Sequence, residues 1–200
     1  MRVAGGGSGL LRVPAGHAAA RPTPLVVLLH GAGGDARGGL RPLEGLADEA
    51  GLLLLAPSSL GSTWDVIRGG FGPDVEALDA LLAEVFGRFA VDPARLAVGG
   101  FSDGASYALS LGVTNGDLFS HVVAFSPGFI AQGTQHGAPA IFVSHGVSDA
   151  VLPIERCSRR LVPALRAAGY EVRYEEFAGG HVVPPAIAGQ AVAWLGGAAP

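Results

Sequence analysis

The chain contains no lysine; all 13 of its basic residues are arginine. That excludes a P-loop lysine, a lysine Schiff base and a Ser-Lys dyad. Cysteine occurs once, at Cys157, which excludes an internal disulfide and a cysteine-based zinc site. Charge is sparse as well. Only 15% of residues are charged, the formal net charge is −4, and no basic stripe occurs, so nucleic acid is not an expected partner. No apolar run approaches the roughly 18 residues of a membrane span. The first residues, MRVAGGGSGLLRVPAG, lack the continuous apolar core of a signal peptide. These absences lead us to expect a cytoplasmic protein, alone or as a homodimer, whose partner is a small molecule.

What is present is apolar. Hydrophobic residues make up 49% of the 200, enough for one domain with a substantial core. The 32 glycines and 14 prolines fall between apolar runs, as turn residues do in a folded chain. A short edge strand is expected at 10–13. Apolar runs at 25–29, 52–56, 96–98, 121–125 and 140–144, and a final run at 170–177, read as further strands. Helical spacing is clearest over 74–89, where Val75, Leu78, Leu81, Leu82, Val85, Phe86 and Phe89 form one stripe. Helices are also expected near 40–50, after Ser102, at 154–168 and at 185–195. Strand–helix alternation throughout predicts an α/β fold, a mostly parallel sheet with helices on both faces. We expect one domain over 1–200, with 1–9 and 196–200 flexible. Residues 57–73 have no clear period, and loops of that length are usually functional.

Ligands of such a sheet bind at the carboxyl ends of its strands. Gly100-Phe101-Ser102-Asp103-Gly104 follows one strand and opens a helix, matching G-x-S-x-G. By itself the pentapeptide is weak, because glycine is abundant and Ser102 reads equally well as an ordinary N-cap. Its setting is what distinguishes it. Asp149 follows the strand ending at Ser144, and His181 follows the strand ending at Phe177. Serine, aspartate and histidine thus stand on three strand ends of one rim. Acyl transfer needs that set: His181 as base for Ser102, and Asp149 to fix the histidine tautomer. The oxyanion needs backbone donors. One is expected from Asp103, the other from the His30–Gly34 loop, at Ala32.

Other residues invite other readings. His30 and His145, each before a glycine at a strand end, read as structural, and His17, His121 and His136 as surface or packing residues. His30, His145, His181 and Asp149 lack metal-ligand spacing, so no metal is expected. Residues 31–36 also fit the dinucleotide fingerprint G-x-G-x-x-A, but the next strand ends Ala56-Pro57-Ser58 with no acid to hold a ribose. Trp64, Ile67 and Phe71, with Phe129, Val151, Leu152, Val182 and Val183, read as an apolar rim for an acyl or aryl group.

The segments LLHGAGG (28–34), GGFSDGAS (99–106), SHGVSDAVLP (144–153) and FAGGH (177–181) together resemble α/β-hydrolases of the small phospholipase/carboxylesterase and dienelactone-hydrolase-like group. The resemblance implies Ser102 as nucleophile, Asp149 as acid, His181 as base, and the Ala32 and Asp103 amides as oxyanion hole, with no cofactor. Dienelactone hydrolases proper use cysteine at the nucleophile position; serine here implies an ordinary esterase. No segment is long enough for an inserted lid, so short- to medium-chain or aryl esters are the expected substrates. Thioesterase, lactonase and polyester depolymerase activities would use the same triad. A non-catalytic ligand-binding hydrolase fold is the alternative of another class.

Overall fold

The structure, a computed structural model, describes residues 1–3 and 6–197. Seven strands form one sheet: β1 (Ser8–Arg12), β2 (Thr23–Leu29), β3 (Leu53–Ser58), β4 (Val91–Phe101), β5 (His121–Phe125), β6 (Ala140–Gly146) and β7 (Val172–Phe177). Their spatial order is β1-β3-β2-β4-β5-β6-β7. Only β1, at the edge, runs antiparallel to its neighbour. The helices are α1 (Ala36–Leu40), α2 (Ala47–Ala50), α3 (Pro73–Arg88), α4 (Asp103–Thr114), α5 (Ser158–Ala167) and α6 (Pro185–Leu195).

Period-two geometry explains why β2 reads as an unbroken apolar run. Leu25, Val27 and Leu29 face a core cluster shared with α3, α4 and α5. Val26 and Leu28 face a second cluster shared with α1, α2 and α6. Both faces are covered, so alternation disappears. Each fully buried leucine there contributes about 2 kcal/mol by leaving water. This is the mostly parallel, helix-covered sheet of the α/β-hydrolase fold.

The chain visits β3 on one side of β2 and then crosses to β4 on the other. The switch point therefore lies between β2 and β4, and the loop after β2 faces the turn after β4 there.

Several elements depart from the sequence expectation. The helix expected near 40–50 is broken into α1, a 3₁₀ turn at Glu44–Leu46, and α2. Pro42 has no N–H to continue α1, and Gly51, at φ +63, ends α2. Asp92-Pro93 lies inside β4: Thr23 pairs with Val91 and Leu25 with Leu96, so residues 92–95 bulge out. Helices do not alternate with strands throughout, because residues 126–139 join β5 to β6 without one. Pro127, Gly128, Gly133, Gly137 and Pro139 disfavour a helix there. Its amides find partners on α4 instead: Gly128 N–H donates to Ser106 Oγ and Ala131 N–H to Ser110 Oγ, both at 2.9 Å. At the amino end, β1 begins at Ser8, inside the arm expected to be flexible, and the Met1 ammonium donates to Gly9 O at 2.6 Å. At the other end, Gly196 and Gly197 donate back to Val192 and Trp194. Residues 4–5 and 198–200 of those two expected flexible ends lie outside the described residues.

Gly104, the second residue of α4, packs against the end of β2. A Cβ there would overlap the carbonyl oxygens of Leu29 and His30. Alanine normally gains about 1 kcal/mol over glycine in a helix. Here the obstacle is backbone, which cannot rotate away, so Gly104→Ala is expected to destabilise by roughly 2–4 kcal/mol. Urea unfolding checks this; a midpoint equal to or above that of the parent would refute the close approach.

Candidate active site

The turn between β4 and α4 presents Ser102 at φ +57 and ψ −121. Among the described non-glycine residues only Ser126, at φ +52, shares a positive φ. Such backbone costs of order 1–3 kcal/mol and persists where its surroundings enforce it. Here the enforcement is visible. Ser102 N–H donates to Phe125 O at 3.0 Å, continuing the ladder to β5, while Ser102 O accepts from the amides of Ala105 and Ser106 as α4 begins. Ser126 likewise donates to Ser144 O on β6. The chain must leave the sheet and enter the helix within one residue, and the sharp turn carries the hydroxyl at its apex.

The turns after β6 and β7 bring the other two residues to Ser102. His181 Nε2 lies 2.8 Å from Ser102 Oγ, and His181 Nδ1 lies 2.6 Å from Asp149 Oδ2. A carboxylate only accepts, so Nδ1 carries the proton and Nε2 accepts from the serine hydroxyl. Asp149 is buried and held from both ends. Its Oδ1 accepts from Val151 N–H at 2.9 Å and Leu152 N–H at 2.8 Å. Burial pushes its carboxyl up, but the Leu152 amide, His181 and the Val151 amide outweigh that and leave it below the ordinary carboxylate range. It is therefore ionised at neutral pH.

His145 stands behind this pair. Its Nδ1 lies 2.7 Å from Ser158 Oγ, its Nε2 lies 2.8 Å from Leu152 O, and Asp149 Oδ2 is 3.3 Å from the same Nε2. Both acceptors want a proton on Nε2, so the serine hydroxyl donates to Nδ1. Burial pushes the His145 imidazole below the ordinary histidine value, and burial does the same at His121. Both are neutral in the fold but take up a proton when unfolded, near pH 6.5. Stability is thus lost as pH falls below about 6.5, until the lowered folded values are reached. Melting temperature is expected to drop from pH 7.5 to pH 5, and less steeply in His121→Gln; a flat profile would contradict both shifts.

The loop after β2 lies across from Ser102. His30 is buried; its Nδ1 donates to Gly31 O at 2.8 Å and its Nε2 accepts from Ser59 N–H at 3.0 Å, so it supports the loop backbone. Ala32 is exposed, and its N–H takes no carbonyl among the described residues. Asp103 is the first residue of α4, where no intrahelical acceptor exists for its N–H. Two amides on either side of the Ser102 turn are therefore available to an anion, at the positive end of the helix dipole.

A cleft of about 450 Å³ opens beside His181. The glycine-rich backbone of the loop and α1 forms one wall. Phe101, Val182 and Val183 line the other, and Arg41 and Pro42 also border the cleft. Of the eight residues expected on the substrate rim, only Val182 and Val183 line this cleft. Trp64 is corrected from rim to core: it is 1% exposed, its Nε1 donates to His30 O at 2.8 Å, and its ring stacks on Tyr107 at 5.2 Å. Ile67 and Phe129 pack against the core cluster on that face. Phe71 lies 5.8 Å from Tyr107 and borders a separate depression with Val75 and Leu111. Val151 is 65% exposed and lies outside the cleft. Sequence reasoning missed Phe101, whose ring sits 4.6 Å from that of His181. Its place inside G-x-S-x-G was the available signal.

The model of the phospholipase/carboxylesterase family matches residues 71–191. Feruloyl esterase C of Emericella nidulans is 28% identical over 154 residues, which cover 73% of this chain and 56% of that protein. The probable feruloyl esterase C of Aspergillus oryzae is 29% identical over the same shares. The chain thus spans about half the length of these curated relatives. Among solved structures, esterase PE8 superposes with a TM-score of 0.78 and 25% identity over 98% of each chain. The Bacillus cereus carboxylesterase superposes at 0.74 with 21% identity, over 96% of this chain and 94% of that one.

Proposed function

The chain belongs to the phospholipase/carboxylesterase family, and on that premise we propose that it is a single-domain serine hydrolase of carboxylic esters, working through an acyl-enzyme. The observation that carries this reading is the continuous hydrogen-bond chain Ser102–His181–Asp149 on a serine held at positive φ.

In this mechanism Ser102 Oγ attacks the ester carbonyl carbon as His181 Nε2 takes the hydroxyl proton. Asp149 stabilises the imidazolium that results. The carbonyl oxygen becomes an alkoxide, received by the Ala32 and Asp103 amides, which need no reorganisation to meet it. Collapse of the adduct expels the alcohol, which takes its proton from His181. Water then repeats the sequence on the acyl-serine and releases the acid.

The cleft supports small apolar substrates. Its volume suits a short- to medium-length acyl chain or one aromatic ring, and Phe101 offers a face for stacking. The name of the fungal relatives makes a feruloyl ester one of the substrates to try.

A fluorophosphonate probe tests the proposal, with mass spectrometry to locate the adduct. The expected result is stoichiometric labelling of Ser102, together with turnover of 4-nitrophenyl esters that falls as acyl chains outgrow the cleft. Labelling elsewhere, or tight ester binding without turnover, would replace the enzyme with a ligand-binding protein.

A further inference from the structure

One peptide unit joins the two halves of the proposed oxyanion hole. Ser62 O accepts from Gly33 N–H at 2.7 Å, directly after Ala32. The next residue, Thr63, donates from Oγ1 to Asp103 Oδ2 at 2.7 Å. Its neighbours tighten the same loop: Trp64 Nε1 donates to His30 O, and Ser59 N–H to His30 Nε2. The segment is anchored in turn. Leu60 N–H and Asp65 N–H donate to the two carboxylate oxygens of Asp74 at 2.7 and 2.8 Å. Asp65 Oδ2 accepts from Asp74 N–H at 2.9 Å. Asp74 is 4% exposed, in the first turn of α3, whose leucines are packed in the core. The linkage thus runs from a rigid helix through residues 59–65 to both amides.

We propose that Thr63 is a positioning residue for ester hydrolysis, the Ser62–Thr63 peptide being a cross-brace that sets the separation of the Ala32 and Asp103 amides. The inference rests on the reading of those amides as the oxyanion hole. The need for a brace is physical. The Ala32 loop is glycine-rich and carries one donor; the other donor rides on a different element. Oxyanion stabilisation depends on donors held in place before charge develops, and a few tenths of an ångström of play is felt mainly in the transition state. Ser62 contributes only its backbone, so the hydroxyl of Thr63 is the one side-chain contact of this peptide that a substitution removes cleanly.

Thr63→Val keeps the shape and deletes the donor. Its kcat is expected to fall about tenfold, below the 10²–10³ of losing an oxyanion donor itself, with KM within about twofold. Affinity for a boronic acid, which mimics the tetrahedral adduct, is expected to weaken by the same factor. Thr63→Ser recovers most of the rate. Asp103→Ala, which removes the other end while leaving the amide, costs about as much as Thr63→Val, and the double substitution costs no more than either alone. Unchanged kcat in Thr63→Val, a loss confined to KM, or full multiplication of the two single effects would overturn the brace. Retained activity in Ser102→Ala would instead remove the nucleophile reading beneath it, so the two failures are distinct.

Discussion

Ser102→Ala is expected to lower kcat by at least about 10⁴-fold, with no loss of fold. The size follows from the proposed mechanism, in which no acyl-enzyme forms without Oγ and only binding and the proposed oxyanion donors remain to assist water. Stability is expected to stay level. The backbone strain at φ +57 is imposed by the ladder to β5 and the start of α4, and alanine suffers it as serine does. Steady-state kinetics with a 4-nitrophenyl ester, read beside the melting temperature, checks both parts. A variant that keeps even a tenth of the parent rate would end the serine mechanism.

Asp149→Asn is expected to cost roughly 10³–10⁴-fold in kcat, although it changes one atom. The reason lies in which donors surround each oxygen. Oδ1 receives two backbone N–H groups, from Val151 and Leu152, so the asparagine carbonyl must take that place. Its NH₂ then faces His181 Nδ1, with His145 Nε2 close by. A donor facing Nδ1 forces His181 into the opposite tautomer, with the proton on Nε2, aimed at Ser102 Oγ. A histidine so arranged cannot take the serine proton. The loss should appear in kcat and should shrink at high pH, where hydroxide substitutes in part for the missing base. Near-parent activity at neutral pH would mean that another carboxylate supports His181.

Much of this was legible in the residues alone. Apolar runs such as Leu25–Leu29 announced strands covered on both faces, because a strand buried twice has no polar face to show. Parallel strands, in turn, put every carboxyl end on one rim. Three residues 79 and 32 positions apart in the chain, Ser102 to His181 and Asp149 to His181, could therefore be paired without coordinates. The division of the helix expected at 40–50 was missed, although Pro42 carried its signal.

The cleft wall was not. Trp64 and Val183 are alike as apolar residues near strand ends, yet one is sealed under His30 and the other lines the cleft. The brace from Thr63 to Asp103 spans 40 residues and has no local pattern at all. Local order follows from periodicity and turn chemistry, which neighbouring residues carry. Burial and side-chain pairing depend on which distant segments meet, and only the closed fold decides that.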